Sequence, residues 1–334
     1  MKKLINEGDK AVDECVEGFL KLNKGTVKRV GDVNAIARRE APIEGKVGIV
    51  IGGGAGHEPL FLEFIGEGMA DAVAHGDIFA APSPKVALEA TRAADGGEGV
   101  LYIYGNYEGD IMNFDMAAEM AESEGIKTET IRVRDDVASA GPENKEERRG
   151  ISGDLFVIKI AGAKAKTCAD LDEVKKTVEK ARDNTRSIGI ALTSATLPNT
   201  GEKTFEIGDD EMEVGMGVHG EPGVERTEIK KAEETTQIMV EKLIEDLPFK
   251  KNDEVLALVN SYGATTRLEL HIVYNELSKI LEKRKIDVYN AEVGAYCTTQ
   301  EMAGCSITLM KLDEELKRLY NTDVNTPGYK FFKK

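Results

Sequence analysis

Val47-Gly-Ile-Val-Ile-Gly-Gly-Gly-Ala-Gly-His-Glu-Pro59 begins as a continuous apolar run and passes directly into glycines. A run without polar alternation reads as a strand buried on both faces, and the glycines after it read as the turn that opens an α/β unit. A helix is predicted to follow over residues 59–67. The same order of strand, loop and helix recurs downstream. Residues 84–94 have helical composition with proline in the first turn, 99–104 form an apolar strand, 112–124 a helix and 128–133 another strand. Such repetition favours a mostly parallel sheet, with ligands in the crevice beyond the carboxyl ends of its strands.

Upstream, residues 6–22 carry Val12, Val16, Phe19 and Leu20 at helical spacing, predicting an N-terminal helix followed by an extended arm. Residues 135–150 are charged and turn-rich and read as a surface excursion. Helices are expected over 153–165 and 171–184, and 187–192 starts a second layer. The later chain predicts a helix over 228–247, a strand over 253–260, a helix over 268–281 and strands over 286–293 and 305–311. The fold class is therefore α/β, in two α/β domains, 1–183 and 184–334. Each is expected to hold a mainly parallel or mixed sheet flanked by helices.

The 334 residues with 41% hydrophobic content suffice for two cores, and 60 acidic against 44 basic residues give a formal charge of −16. That balance argues against nucleic acid or an anionic membrane as partner, since binding phosphates needs local cations. No stretch approaches the roughly 18 to 20 apolar residues that span a bilayer, and the N-terminus lacks a signal-peptide core, so a cytoplasmic enzyme is expected. Cys15, Cys168, Cys297 and Cys305 are scattered, which indicates neither disulfides nor a zinc cluster. The later pair read as buried small hydrophobes. The acidic run 209–213 reads as a solvated face, and no metal site is expected.

A second glycine-rich stretch surrounds a histidine: Glu211-Met-Glu-Val-Gly-Met-Gly-Val-His-Gly-Glu-Pro-Gly223. The alternation of Met212, Val214, Met216 and Val218 predicts a strand that delivers His219 to a rim, where loops carry function. The competing explanation is a tight turn with an incidental histidine. Around residues 52–59 no P-loop or dinucleotide fingerprint is present. The glycines there admit close approach of a small polar ligand, towards which His57 and Glu58 would project; a turn histidine is the alternative. Asp110 closes a strand-to-helix loop and suits either a helix cap or a general base on a hydroxyl. His75 is undecided, and His271 reads as a packed or surface residue of a helix.

These stretches, with residues 95–100, 106–110, 148–150, 187–192, 259–265 and 294–298, resemble in order the substrate-binding subunit of the dihydroxyacetone (glycerone) kinases over nearly the whole chain. The resemblance implies that His219 bonds covalently to a ketone carbon as a hemiaminal, selecting short ketoses over glycerol. It implies that Asp110 is the general base and that His57 hydrogen-bonds the substrate. Gly53, Gly54, Gly56 and Gly105 would border the ligand. It further implies a homodimer and no cofactor on this chain. ATP, or ADP recharged through a phosphotransferase protein, would sit with magnesium on a helical partner subunit. Gly105 and Ala81 stand where the family commonly has lysine and serine, which leaves room for a larger ketose such as a tetrulose. A ligand-sensing co-regulator of transcription is the alternative role within the family.

Overall fold

The computed structural model describes residues 2–333. Helix α1 (Ala11–Leu22) leads into β1 (Val27–Val30) and β2 (Ala35–Arg38), followed by β3 (Gly48–Ala55), β4 (Ala72–Ile78), α2 (Pro84–Ala94), β5 (Val100–Gly105), α3 (Glu108–Ser123) and β6 (Thr128–Val133). These strands form one six-stranded sheet in the order β1-β2-β4-β3-β5-β6. Its β4, β3, β5 and β6 are parallel, while β1 and β2 add an antiparallel edge. The expected extended arm is thus a hairpin of two strands, docked on the sheet through the pairing of β2 with β4.

After α4 (Asp154–Ala165) and α5 (Leu171–Asp183), a second sheet begins with β7 (Thr185–Ala191) and continues with β8 (Glu211–Val214), β9 (Glu225–Glu228), α6 (Ala232–Asp246), β10 (Glu254–Ser261), α7 (Arg267–Arg284), β11 (Asp287–Gly294) and β12 (Gly304–Lys311). Its order is β11-β10-β12-β7-β8-β9. Only β10 and β11 run parallel, so this sheet is mixed. Helix α8 (Glu314–Tyr320) and a short ribbon of β13 (Val324–Asn325) and β14 (Lys330–Phe331) end the chain.

Side-chain alternation divides the strands between cores. Ile49, Ile51, Leu101 and Ile103 point to a central cluster shared with α4, α5, α8 and with Leu256, Leu258 and Met310 of the second sheet. Val50, Val100 and Tyr102 point the other way, onto α2 and α3. Val255, Ala257, Val259 and Ile307 face α6 and α7. Both sheets are therefore covered on both faces, which explains why their inner strands read as unbroken apolar runs.

Three expectations need correction. The glycines 52–54 are strand, not turn: a Cβ on Gly53 would sit 2.2 Å from the Phe61 ring, so glycine is there for close packing. No helix spans 59–67. A 3₁₀ turn, Leu62–Phe64, follows Phe61, whose φ of 65° cannot continue a helix. Residues 135–150 are a surface excursion only in the middle, over Pro142–Glu147, because Asp135 and Asp136 at one end and Arg148 at the other are buried. Asp135 accepts the backbone N–H groups of Ile151 and Gly153, each at 2.8 Å. Arg148 grips Asp246, which also pairs with Arg186. Buried charges persist when paired, and breaking such a pair typically costs about 3–5 kcal/mol.

Candidate functional site

The carboxyl ends of β3 and β5 and the tip of the β8–β9 connection border one small cavity. His219 lies beyond the end of β8, because the strand stops at Val214, where Gly215 takes a φ of 83°. The chain then loops out, and the Val224 N–H returns to the Val214 carbonyl at 2.8 Å. The predicted alternation through Val218 is therefore loop rather than strand. Glu213 fastens this hairpin by accepting from the Gly223 N–H and the Arg226 Nε, at 2.9 and 2.7 Å.

His57 follows Gly56, whose φ of 99° turns the chain at the end of β3. Its Nδ1 donates to the Thr298 carbonyl at 2.7 Å, which leaves Nε2 as an acceptor. That Nε2 stands 3.0 Å from His219 Nε2. Burial, with the neighbouring His219 adding to it, pushes the His57 imidazole down to about 3, so it stays neutral near pH 7. His219 Nδ1 in turn meets Glu221 Oε1 at 2.8 Å, and the other oxygen of Glu221 accepts the His219 backbone N–H at 2.9 Å. Burial raises the Glu221 carboxyl, but its hydrogen bonds with His219 and their mutual charge outweigh this and hold it at about 2. An ionised Glu221 fixes the proton on Nδ1. His219 Nε2 then presents a lone pair to the cavity when the ring is neutral, and donates to His57 only when the ring carries a second proton.

Asp110 sits in the first turn of α3, 8% exposed, while Tyr107 occupies the N-cap with no side-chain cap bond. Asp110 Oδ1 has no hydrogen-bond partner. Burial pushes this carboxyl up to about 7 against the pull of His219. Asp110 is therefore not the N-cap residue of α3, although its carboxyl also meets its own backbone N–H in the first turn.

The cavity wall includes Gly53, Gly54 and Gly105 beside His57, Asp110 and His219. Gly56 stands off it, its carbonyl accepting the Gln300 N–H at 2.9 Å. Glu58 turns away from the cavity, accepting the Gly56 N–H at 3.1 Å and lying 3.7 Å from buried His75. Ala81 and His75 line a separate, acidic hollow. His271 is exposed on α7. Cys297 and Cys305 are buried, as expected, and Cys297 reaches the cavity.

Sequence reasoning missed Glu221, Thr298, Tyr107 and Asp154. Glu221 carried a signal, an acid two residues from the histidine. Thr298 did not, since it arrives from 241 residues away. Glu221→Gln keeps an acceptor but loses the charge, and ketone affinity is expected to fall roughly 10- to 100-fold, the worth of a charge-assisted bond. Titration calorimetry checks this, and unchanged affinity would make Glu221 a mere loop fastener.

The Dak1 domain profile matches residues 17–328. The chain belongs to the Dak1 domain family. It is 44% identical over 331 residues to the dihydroxyacetone-binding subunit of a PTS-dependent dihydroxyacetone kinase of Listeria innocua, covering 99% of both chains. It is 39% identical to a D-erythrulose kinase of Mycolicibacterium smegmatis, covering 99% of this chain and 57% of that one. The dihydroxyacetone kinase of C. freundii, solved with AMP-PNP and Mg2+, superposes with a TM-score of 0.91 at 32% identity, over 98% of this chain and 61% of that one. Among the described residues of this Dak1 chain, no helix is long and apolar enough to cross a membrane.

Proposed function

We propose that this chain is the ketose-binding subunit of a dihydroxyacetone kinase, holding its substrate covalently and presenting a hydroxyl for phosphoryl transfer. The observation that carries the covalent step is the pair of imidazoles 3.0 Å apart, one of them backed by an ionised carboxylate. His219 Nε2 attacks the carbonyl carbon, forming a C–N bond as the C=O π pair moves to oxygen. That oxygen takes a proton from solvent, becoming a hydroxyl that donates to the unprotonated His57 Nε2. The positive charge left on the alkylated imidazole faces Glu221. One covalent bond fixes a ligand too small to be held by buried area alone. Glycerol offers no carbonyl and gains none of this.

Asp110 then takes the proton of the hydroxyl to be phosphorylated. A carboxyl near 7 is well matched to that work, and turnover should rise with pH through about 7 as Asp110 ionises. We assign the nucleotide to a partner subunit, because the full-length relative is named as the dihydroxyacetone-binding subunit of its kinase. With ATP and dihydroxyacetone, the purified chain should form no phosphate ester until a nucleotide-carrying subunit is added. Ester formation by the chain alone would refute the two-component scheme. Ketose binding that no kinase partner converts into turnover would favour the sensing role instead.

A further inference from the structure

The cavity wall holds six side chains with polar atoms: His57, Tyr107, Asp110, Asp154, His219 and Cys297. Most are already engaged. The Tyr107 hydroxyl donates to the Gly150 carbonyl at 3.1 Å, and each imidazole has spent its Nδ1 on Thr298 or Glu221. The Cys297 thiol is a weak donor, pushed up further by burial. What remains is two carboxyls, Asp110 and Asp154, each with an oxygen that is buried and without a partner.

Asp154 opens α4 and is 2% exposed. A buried carboxyl with no ion pair is costly unless a ligand satisfies it. The nearest structural explanations do not apply: Asp135, not Asp154, accepts the backbone N–H groups of Ile151 and Gly153 at the start of that helix. The scheme above uses His219 for the carbon, His57 for the oxygen and Asp110 for one hydroxyl. A dihydroxy ketone brings a second hydroxyl, and the wall offers one more group.

Resting on the ketose reading above, we infer that Asp154 is a substrate-recognition residue that binds the hydroxyl not undergoing phosphorylation. Burial, with Asp135 and Asp110 close by, pushes its carboxyl well above the ordinary range, which favours the neutral acid. A neutral carboxyl both donates and accepts, which matches a hydroxyl, and it adds no charge beside the base. Sites built around a substrate hydroxyl discriminate strongly against analogues that lack it.

The test is calorimetric titration of the purified chain with dihydroxyacetone and with hydroxyacetone, which has a single hydroxyl. Asp154→Leu should weaken dihydroxyacetone binding on the order of tenfold. Hydroxyacetone can turn its one hydroxyl to Asp110, so it should lose less. Asp154→Asn keeps a donor and an acceptor and should bind dihydroxyacetone within about threefold of the unmodified protein. Equal losses for both ketones in Asp154→Leu, or no loss for dihydroxyacetone, overturn the assignment while leaving the ketose reading intact. An Asn variant as weak as the Leu variant overturns the neutral-acid account. Failure of the unmodified protein to bind either ketone overturns the ketose reading and the assignment together.

Discussion

With a nucleotide-carrying partner present, Asp110→Asn is expected to turn over at least about a hundredfold more slowly than the unmodified protein, the lower bound for a lost general base. Ketose binding should be largely kept, because the amide retains an oxygen at the same place. Stability separates this loss from damage to the fold. A carboxyl raised from 3.8 to about 7 binds its proton more tightly in the folded state than in the unfolded chain. Its contribution to stability is therefore complete below its unfolded value and is lost as pH rises through about 7. At pH 8 the neutral asparagine escapes that loss, so the variant should melt no earlier than the unmodified protein, and later if relief of burial dominates. A variant that melts early at pH 8 yet turns over normally would make Asp110 a structural residue.

His219→Ala should abolish the preference for dihydroxyacetone over glycerol. Without Nε2 the carbonyl carbon has no nucleophile, and both ligands are left with hydrogen bonds of similar worth, so their affinities should converge to within about threefold. Calorimetry with the two ligands measures the convergence, and a crystal soaked with dihydroxyacetone shows whether density runs unbroken from the imidazole to the carbonyl carbon. A variant that still prefers the ketone, or a ligand lying free beside the ring, would sink the covalent scheme and leave recognition to His57 and the two aspartates.

The alternation rules recovered those elements whose signals are local. Helix α2 and strand β6 fall where proline placement and apolar spacing put them. The misses share a physical cause, which is that the deciding partner lies elsewhere in the chain. Gly53 reads as turn until the Phe61 ring is known to press on it. Arg148 reads as surface until Asp246 arrives from α6. Asp154 looks like an ordinary acid in a first helical turn, the place where the helix dipole favours one. Only the cavity shows that it lacks a partner. His57 and His219 each stand out among glycines, but nothing in their spacing places their Nε2 atoms together.

That pairing also makes the site a seam. His57 belongs to the first sheet and His219 to the second, while backbone bonds from Thr298 and Gln300 lace the rim of one to the other at 3.2 and 2.9 Å. The Arg148–Asp246 clasp closes the same junction from farther off. The dissociation constant is divided by the fraction of molecules in which the two halves are seated correctly, so affinity falls with that fraction. On the proposed scheme, substrate affinity serves as a gauge of inter-sheet docking, and a ketose held by both histidines would act as a reversible cross-link that tightens the molecule around itself.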